Sequence, residues 1–159
     1  MWEYEHSIDT DTAPEALWAR LSDVATWPEW NSDIDKVELE GPFAAGSRVT
    51  MTPRGEEPVT LRLAQVRENE TFVDEAEFGG VTIRTMHRLE RLEANRTRIT
   101  YRTEISGPAA DELGPQVGPA ITADFPETIA ALVRAAGGTD SDAEAEDKAE
   151  AGGEPRTEG

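Results

Sequence analysis

Residues 71–106 read TFVDEAEFGGVTIRTMHRLERLEANRTRITYRTEIS, and their alternation decides the fold. Two runs of period two flank Gly79-Gly80, and a third follows the short break Glu93-Ala94-Asn95. Alternation of apolar and polar side chains means a strand with one buried face. A Gly-Gly pair between such runs predicts a tight hairpin, because glycine reaches the positive φ that two-residue turns require. In the middle run Val81, Ile83, Thr85, His87 and Leu89 share one face, while Thr82, Arg84, Arg88 and Glu90 take the other. In the third run Ile99, Tyr101, Thr103 and Ile105 form the matching inner face. Pairing across the break sets His87 beside Tyr101 or Thr103.

The same period extends upstream. Val37 and Leu39 alternate with Lys36, Glu38 and Glu40 before the turn GPFAAG. SRVTMTP and PVTLRLAQV then pair across RGEE, with Val49, Met51, Val59, Leu61 and Leu63 on one side. At the start, Trp2, Tyr4, His6 and Ile8 oppose Glu3, Glu5, Ser7 and Asp9. The count is seven antiparallel strands, expected to curve strongly.

Two stretches break the pattern. TAPEALWARLSDV has helical spacing, with Leu17, Leu21 and Val24 as its stripe and Pro14 in the first turn. Thr12 with Glu15 three residues on reads as a capping box. ATWPEWNSDI follows as a short helical turn, where Pro28 is expected to stop the preceding helix and Trp27 and Trp30 to be buried. The last element, about Ala110 to Ala136, carries a stripe from Leu113 through Val117, Ile121, Phe125 and Ile129 to Val133. Pro115, Pro119 and Pro126 predict kinks or a broken first half.

Composition narrows the function classes. With 159 residues, one domain spanning 1–137 is expected. The remainder, 138–159, is acidic, holds no aromatic, and reads as a disordered tail. The chain carries a net charge of −18, of which −12 belongs to the first 137 residues and −6 to the tail. Such a surface repels phosphate backbones, so nucleic acid is not expected as a partner. Cysteine is absent, and no stretch approaches 18 apolar residues. A cytoplasmic protein without membrane insertion is the expectation, as monomer or homodimer through an exposed sheet edge.

TAPEALWARLSDVATWPEWN and GGVTIRTMHRLERLEANRTRITYRTEISGP resemble the polyketide cyclase/dehydrase branch of the START-like (SRPBCC) superfamily. The resemblance covers residues 1 to about 137. It implies an α+β helix-grip fold, a curved seven-stranded antiparallel sheet around a long C-terminal helix, with two short helices after the first strand. It further implies an apolar cavity between sheet and helix, in which members bind lipids or hormones, or cyclise and dehydrate polyketides.

On that frame, Met51, Leu61, Phe78, Thr85 and Thr103 are candidate ligand contacts from the sheet. Val117, Ile121 and Phe125 face them from the helix, and Trp30 closes one end. Trp27 and His6 are expected to serve packing. His87 is the candidate acid/base, near its neutral pKa, and Tyr101 the group that positions a substrate carbonyl; both also count as ligand contacts. Asp74 alone among the acidic residues of its strand has the parity to turn inward. Arg62, Arg84, Arg88, Arg98 and Arg102 all have outward parity, which weighs against a cyclase. Neither histidine has a nearby carboxylate at metal-ligand spacing, so no metal is expected, and no dinucleotide or phosphate-binding motif calls for a cofactor. The expected function is binding of a small hydrophobic molecule, lipid-like or a polyketide-like aromatic. A cyclase/dehydratase-type enzyme is the alternative, and an interaction module acting through the acidic tail ranks third.

Overall fold

The computed structural model describes residues 1–137, and of residues 144–150 the backbone. Eight strands form one sheet in the order β2-β3-β4-β5-β6-β7-β1-β8. They are β1 (Trp2–Thr10), β2 (Ile34–Glu40), β3 (Arg48–Pro53), β4 (Val59–Arg67), β5 (Thr71–Phe78), β6 (Val81–Glu93), β7 (Arg96–Ser106) and β8 (Glu144–Glu150). Every neighbouring pair is antiparallel. The first seven are the strands read from the sequence. The eighth is a difference: the backbone of 144–150 runs along β1, within the segment expected to be a disordered tail. Side-chain burial gives this segment no hold, whereas an edge strand is held by backbone groups of the neighbouring strand. The rest of that tail, 138–143 and 151–159, lies outside the described residues.

The Gly79-Gly80 hairpin is as expected: Phe78 pairs with Val81, and both glycines have positive φ, 56° and 88°. Registers across the sheet align the inner face in rows. One row runs His6, Tyr101, His87, Phe72, Val66, and the next runs Tyr4, Thr103, Thr85, Asp74, Leu63. A bulge between Leu63 and Gln65 carries the inner face of β4 from Leu63 to Val66. One extra residue also bends the strand, which helps the sheet curl.

Four helices complete the fold: α1 (Pro14–Leu21), α2 (Trp27–Trp30), α3 (Ala110–Thr122) and α4 (Phe125–Ala135). The capping box does not form. Ala13 occupies the cap of α1 and makes no side-chain cap hydrogen bond. Thr12 is drawn into the end of the sheet instead, where its carbonyl accepts from Thr97 Oγ1 at 2.6 Å and its hydroxyl lies 3.2 Å from that of Thr10. Glu15 is turned to Arg91. Pro28 also has a different task from the one expected. Helix α1 ends at Leu21, and Pro28 stands in the first turn of α2, where a missing N–H costs nothing.

The C-terminal helix breaks once, at Ala123-Asp124, and restarts with Pro126 in the first turn of α4. Pro115 and Pro119 lie inside α3 without ending it, so the first half is not broken as expected. The carbonyls they deprive of partners belong to Asp111 and Pro115, both on the exposed side of the helix.

Helix α3 lies on β1 and β7 through two glycines. A Cβ on Gly114 would stand 2.5 Å from Trp2 Cβ, and one on Gly118 would stand 2.6 Å from the indole ring. Only hydrogen fits there. The Trp2 indole stacks toward Tyr4 at 6.4 Å, and Tyr4 meets Phe125 of α4 at 6.2 Å. Helix and sheet are thereby joined tightly along β1 and β7, and the remaining strands curl away from that seam.

Candidate cleft and its polar row

The two halves of the inner face differ in closure. Along the seam, Ile99, Ile105, Ile129, Leu132 and Val133 have no exposed surface. Across it, Val37, Leu39, Met51 and Leu61 of β2 to β4 remain half-buried, as do Ile83, Thr85 and His87 of β6. Leu113, Val117 and Ile121 of α3 are half-buried too. Apolar side chains that pack on the core yet keep accessible surface therefore occur both on the sheet and on α3.

Aromatic rings cluster around His87. The His87 imidazole lies flat on Phe72, centroids 3.9 Å apart and 8° between planes, and meets the edge of Tyr101 at 4.6 Å. Tyr101 in turn meets Phe125 at 5.5 Å. Behind Phe72 stand Trp27, stacked at 6.1 Å, and Phe43 at 5.1 Å. Trp27 is buried and donates from Nε1 to the Leu21 carbonyl at 3.0 Å, so it holds α2 to α1 as a packing residue. Phe43 was read as part of a turn; a lone aromatic between a proline and alanines gives no periodic signal.

The polar groups sit in the same two rows. His87 pairs directly with Tyr101 across β6 and β7, and its Nδ1 lies 3.3 Å from the Phe72 carbonyl. That contact makes Nδ1 the donor and leaves Nε2 as the acceptor. Burial lowers the imidazole pKa to about 4, against which the Phe72 hydrogen bond works only weakly. The near-neutral pKa expected from the sequence is therefore displaced downward: His87 is an uncharged base at neutral pH. Thr85 and Thr103 hydrogen-bond each other at 3.1 Å, Thr103 fully buried.

Asp74 does turn inward, buried beside Thr85 in the row. Its carboxyl makes no hydrogen bond among the described residues. Burial, and secondarily the charge of Glu75, raises its pKa to about 7. Asp124, in the break between α3 and α4, is also raised to about 7, by burial first and then by a hydrogen bond with Asp33. Tyr101 is pushed up by burial and then by Asp74 and Asp124. Its phenol thus lies within the field of both carboxyls. Asp124 was not singled out from the sequence, since nothing in a helical stripe announces where the helix will break.

Phe78 has inward parity and, ending β5 at the hairpin, is 60% exposed. Trp30 is half-buried against a separate hollow of about 410 Å³ shared with Arg20, Glu29, Ala131, Arg134 and Ala135. Met51, Leu61, Thr85, His87, Val117 and Ile121 are half-buried, and Tyr101, Thr103 and Phe125 are buried.

The arginines of the sheet face outward as expected. Arg62 and Arg84 both bind Glu75 at 2.6 Å, Arg98 binds Asp9 at 2.8 Å, and Arg102 binds Glu5 at 3.0 Å, Glu104 at 3.1 Å and Glu3. Arg88 is exposed. Among the described residues no cluster of three or more metal-ligating side chains occurs, and no helix is long and apolar enough to cross a membrane.

Solved structures share this architecture. Norcoclaurine synthase from Thalictrum flavum, in complex with dopamine and hydroxybenzaldehyde, superposes with a TM-score of 0.64 at 16% identity, covering 83% of this chain and 86% of that one. The Zhui aromatase/cyclase from Streptomyces sp. R1128 gives 0.63 at 18% identity, covering 84% and 90%. A START superfamily protein from Mycobacterium smegmatis gives 0.61 at 14%, covering 85% and 94%. At such identities the likeness is one of fold. A search of curated proteins finds no match. The model of the family described as polyketide cyclase / dehydrase and lipid transport matches residues 1–137. With its helix-grip architecture and that match, the chain belongs to the polyketide cyclase / dehydrase and lipid transport family.

Proposed function

We propose that the chain binds a small hydrophobic molecule, lipid-like or a polyketide-like aromatic, in the cleft between α3 and the curled sheet. One observation carries this: Met51 and Leu61 on the sheet and Val117 and Ile121 on α3 keep accessible apolar surface, while Ile99, Ile105, Ile129, Leu132 and Val133 are fully closed. A side chain left half-covered in this way forgoes about 25 cal/mol for each Å² of apolar area still wet, which a ligand recovers. The family description, with its lipid transport, agrees with it. Titration of the protein with fatty acids and polycyclic phenols, followed by tryptophan fluorescence, tests it. Val117→Trp should fill the cleft and abolish binding while the far-ultraviolet circular dichroism stays unchanged; binding that survives this substitution removes the cleft from the account.

The grouping of Asp74, Tyr101 and His87 favours a second reading, a cyclase/dehydratase-type enzyme. A neutral imidazole Nε2 accepts a proton from carbon beside a substrate carbonyl, and the Tyr101 phenol hydrogen-bonds the oxygen that gains charge. The protonated Asp74 carboxyl gives its proton to a departing hydroxyl, which leaves as water. Turnover of a β-hydroxy ketone, lost in His87→Ala with binding intact, would support it. No turnover by the parent protein would dismiss it.

A further inference from the structure

The inner face carries acidic side chains and no arginine or lysine. Asp74 is nine-tenths buried, shares the inner row with Thr85 and Thr103, and has no hydrogen-bond partner, because those two hydroxyls satisfy each other. Asp124 lies at the break between α3 and α4, hydrogen-bonded to Asp33 and next to Phe125, whose ring meets Tyr101 at 5.5 Å. The phenol of Tyr101 makes no hydrogen bond among the described residues and lies within the field of both carboxyls. All arginines of β4, β6 and β7 are spent on the outer face or exposed there. A buried carboxyl without a partner is costly to retain unless something satisfies it.

Resting on the binding function proposed above, we propose that the ligand of the cleft carries a protonated amine on an aromatic or apolar body, the ammonium seated between Asp74 and Asp124 beside Tyr101. The surrounding rings suit such a cation. Tyr101, Phe72 and Phe125 offer π faces and edges in a site largely shielded from water, where a cation–π contact is strongest. The charge of −12 on residues 1–137 attracts cations to the molecule. A carboxylate ligand, by contrast, would lie against Asp74 with no positive group to balance it.

The groups that face Asp74 set the pH response. Glu75 follows it on β5 and is turned out to Arg62 and Arg84. His87 on β6 is uncharged at neutral pH, Tyr101 on β7 is protonated, and Leu63 on β4 is apolar. Asp124 has Asp33 and Glu127 behind it. The site therefore becomes anionic as pH rises through about 7. An ammonium that binds near neutrality drives a proton off the carboxyls.

A matched trio tests this on the full chain by titration calorimetry: 2-(2-naphthyl)ethylamine, 2-(2-naphthyl)ethanol and 3-(2-naphthyl)propanoic acid. Near pH 8 the amine should bind at least about tenfold tighter than the alcohol, and the acid weakest. Near pH 5 the advantage of the amine should disappear. Near pH 7, buffers of different ionisation enthalpy should reveal proton release for the amine alone. Asp74→Asn and Asp124→Asn, with folding checked by circular dichroism, should each erode the preference and leave the alcohol unaffected. Alcohol binding as tightly as amine overturns the inference and leaves the hydrophobic-binding function standing. An amine preference untouched in both variants overturns the seat. Failure of all three probes overturns both.

Discussion

Asp74 is the residue at which the sequence says least and the structure most. Its parity with Phe72 placed it on the inner face, but only the register beside Thr85 and the lack of a partner give it a role. A lone carboxyl in an apolar row is held protonated by burial, with its pKa at about 7 against an ordinary 3.8. Asp74→Asn keeps shape and removes the ionisation. Near pH 8 this variant should be more stable than the parent by on the order of 2 kcal/mol, read from urea midpoints, with the gain fading toward pH 4. Equal midpoints at pH 8 would mean that the carboxyl is solvated in the folded protein. Tyr101 and His87 were legible at the same scale because each alternates with apolar neighbours on a strand; the downward shift of His87 was not, since burial depth is a property of packing rather than of parity.

At the scale of elements, alternation located all seven expected strands and both turns that matter most. What it missed has common physical causes. A bulge such as that at Leu63 to Gln65 adds one residue without changing composition. The capping box at Thr12 lost to a competing bond, since Thr97 and Thr10 claim that residue for the sheet. Gly114 and Gly118 look in the sequence like weak points of a helix, and their use appears only when Trp2 is found lying across them. Each glycine costs α3 about 1 kcal/mol of helix propensity relative to alanine. Gly118→Ala should nevertheless destabilise the protein, by roughly 1–3 kcal/mol, because the new methyl must displace the indole. The loss should shrink when Trp2→Phe is added, which provides the space. A thermal melt of the single and double variants measures this; a stabilised Gly118→Ala would show that helix propensity outweighs the contact.

For the whole molecule, His87 and Asp74 act on stability with opposite sign. The native imidazole of His87 remains neutral down to about 4, while in the unfolded chain it protonates near 6.5. Between those values the unfolded state binds the extra proton, so stability falls as pH drops through the window. Native Asp74 keeps its proton up to about 7, whereas the unfolded chain releases it near 3.8. Across that interval the native state holds the extra proton, so stability falls as pH rises, and Asp124 acts in the same sense. From about pH 4 to 6.5 the contributions of His87 and Asp74 cancel, each worth about 1.4 kcal/mol per pH unit at most. Removing one unmasks the other. His87→Phe, which preserves the stack on Phe72, should leave midpoints near pH 7.5 little changed and raise them below pH 5 relative to the parent. Asp74→Asn should do the reverse, gaining with rising pH, and the two difference curves should cross between pH 5 and 6.5. A ligand with a protonated nitrogen adds a further signature. Saturating amine should stabilise the parent most above pH 7, where the carboxyls are ionised, and should stabilise Asp74→Asn no more than the matched alcohol does. Parallel curves for parent and variants across the whole range would mean that neither group is desolvated by folding, and the cleft would then be open to bulk water along its length.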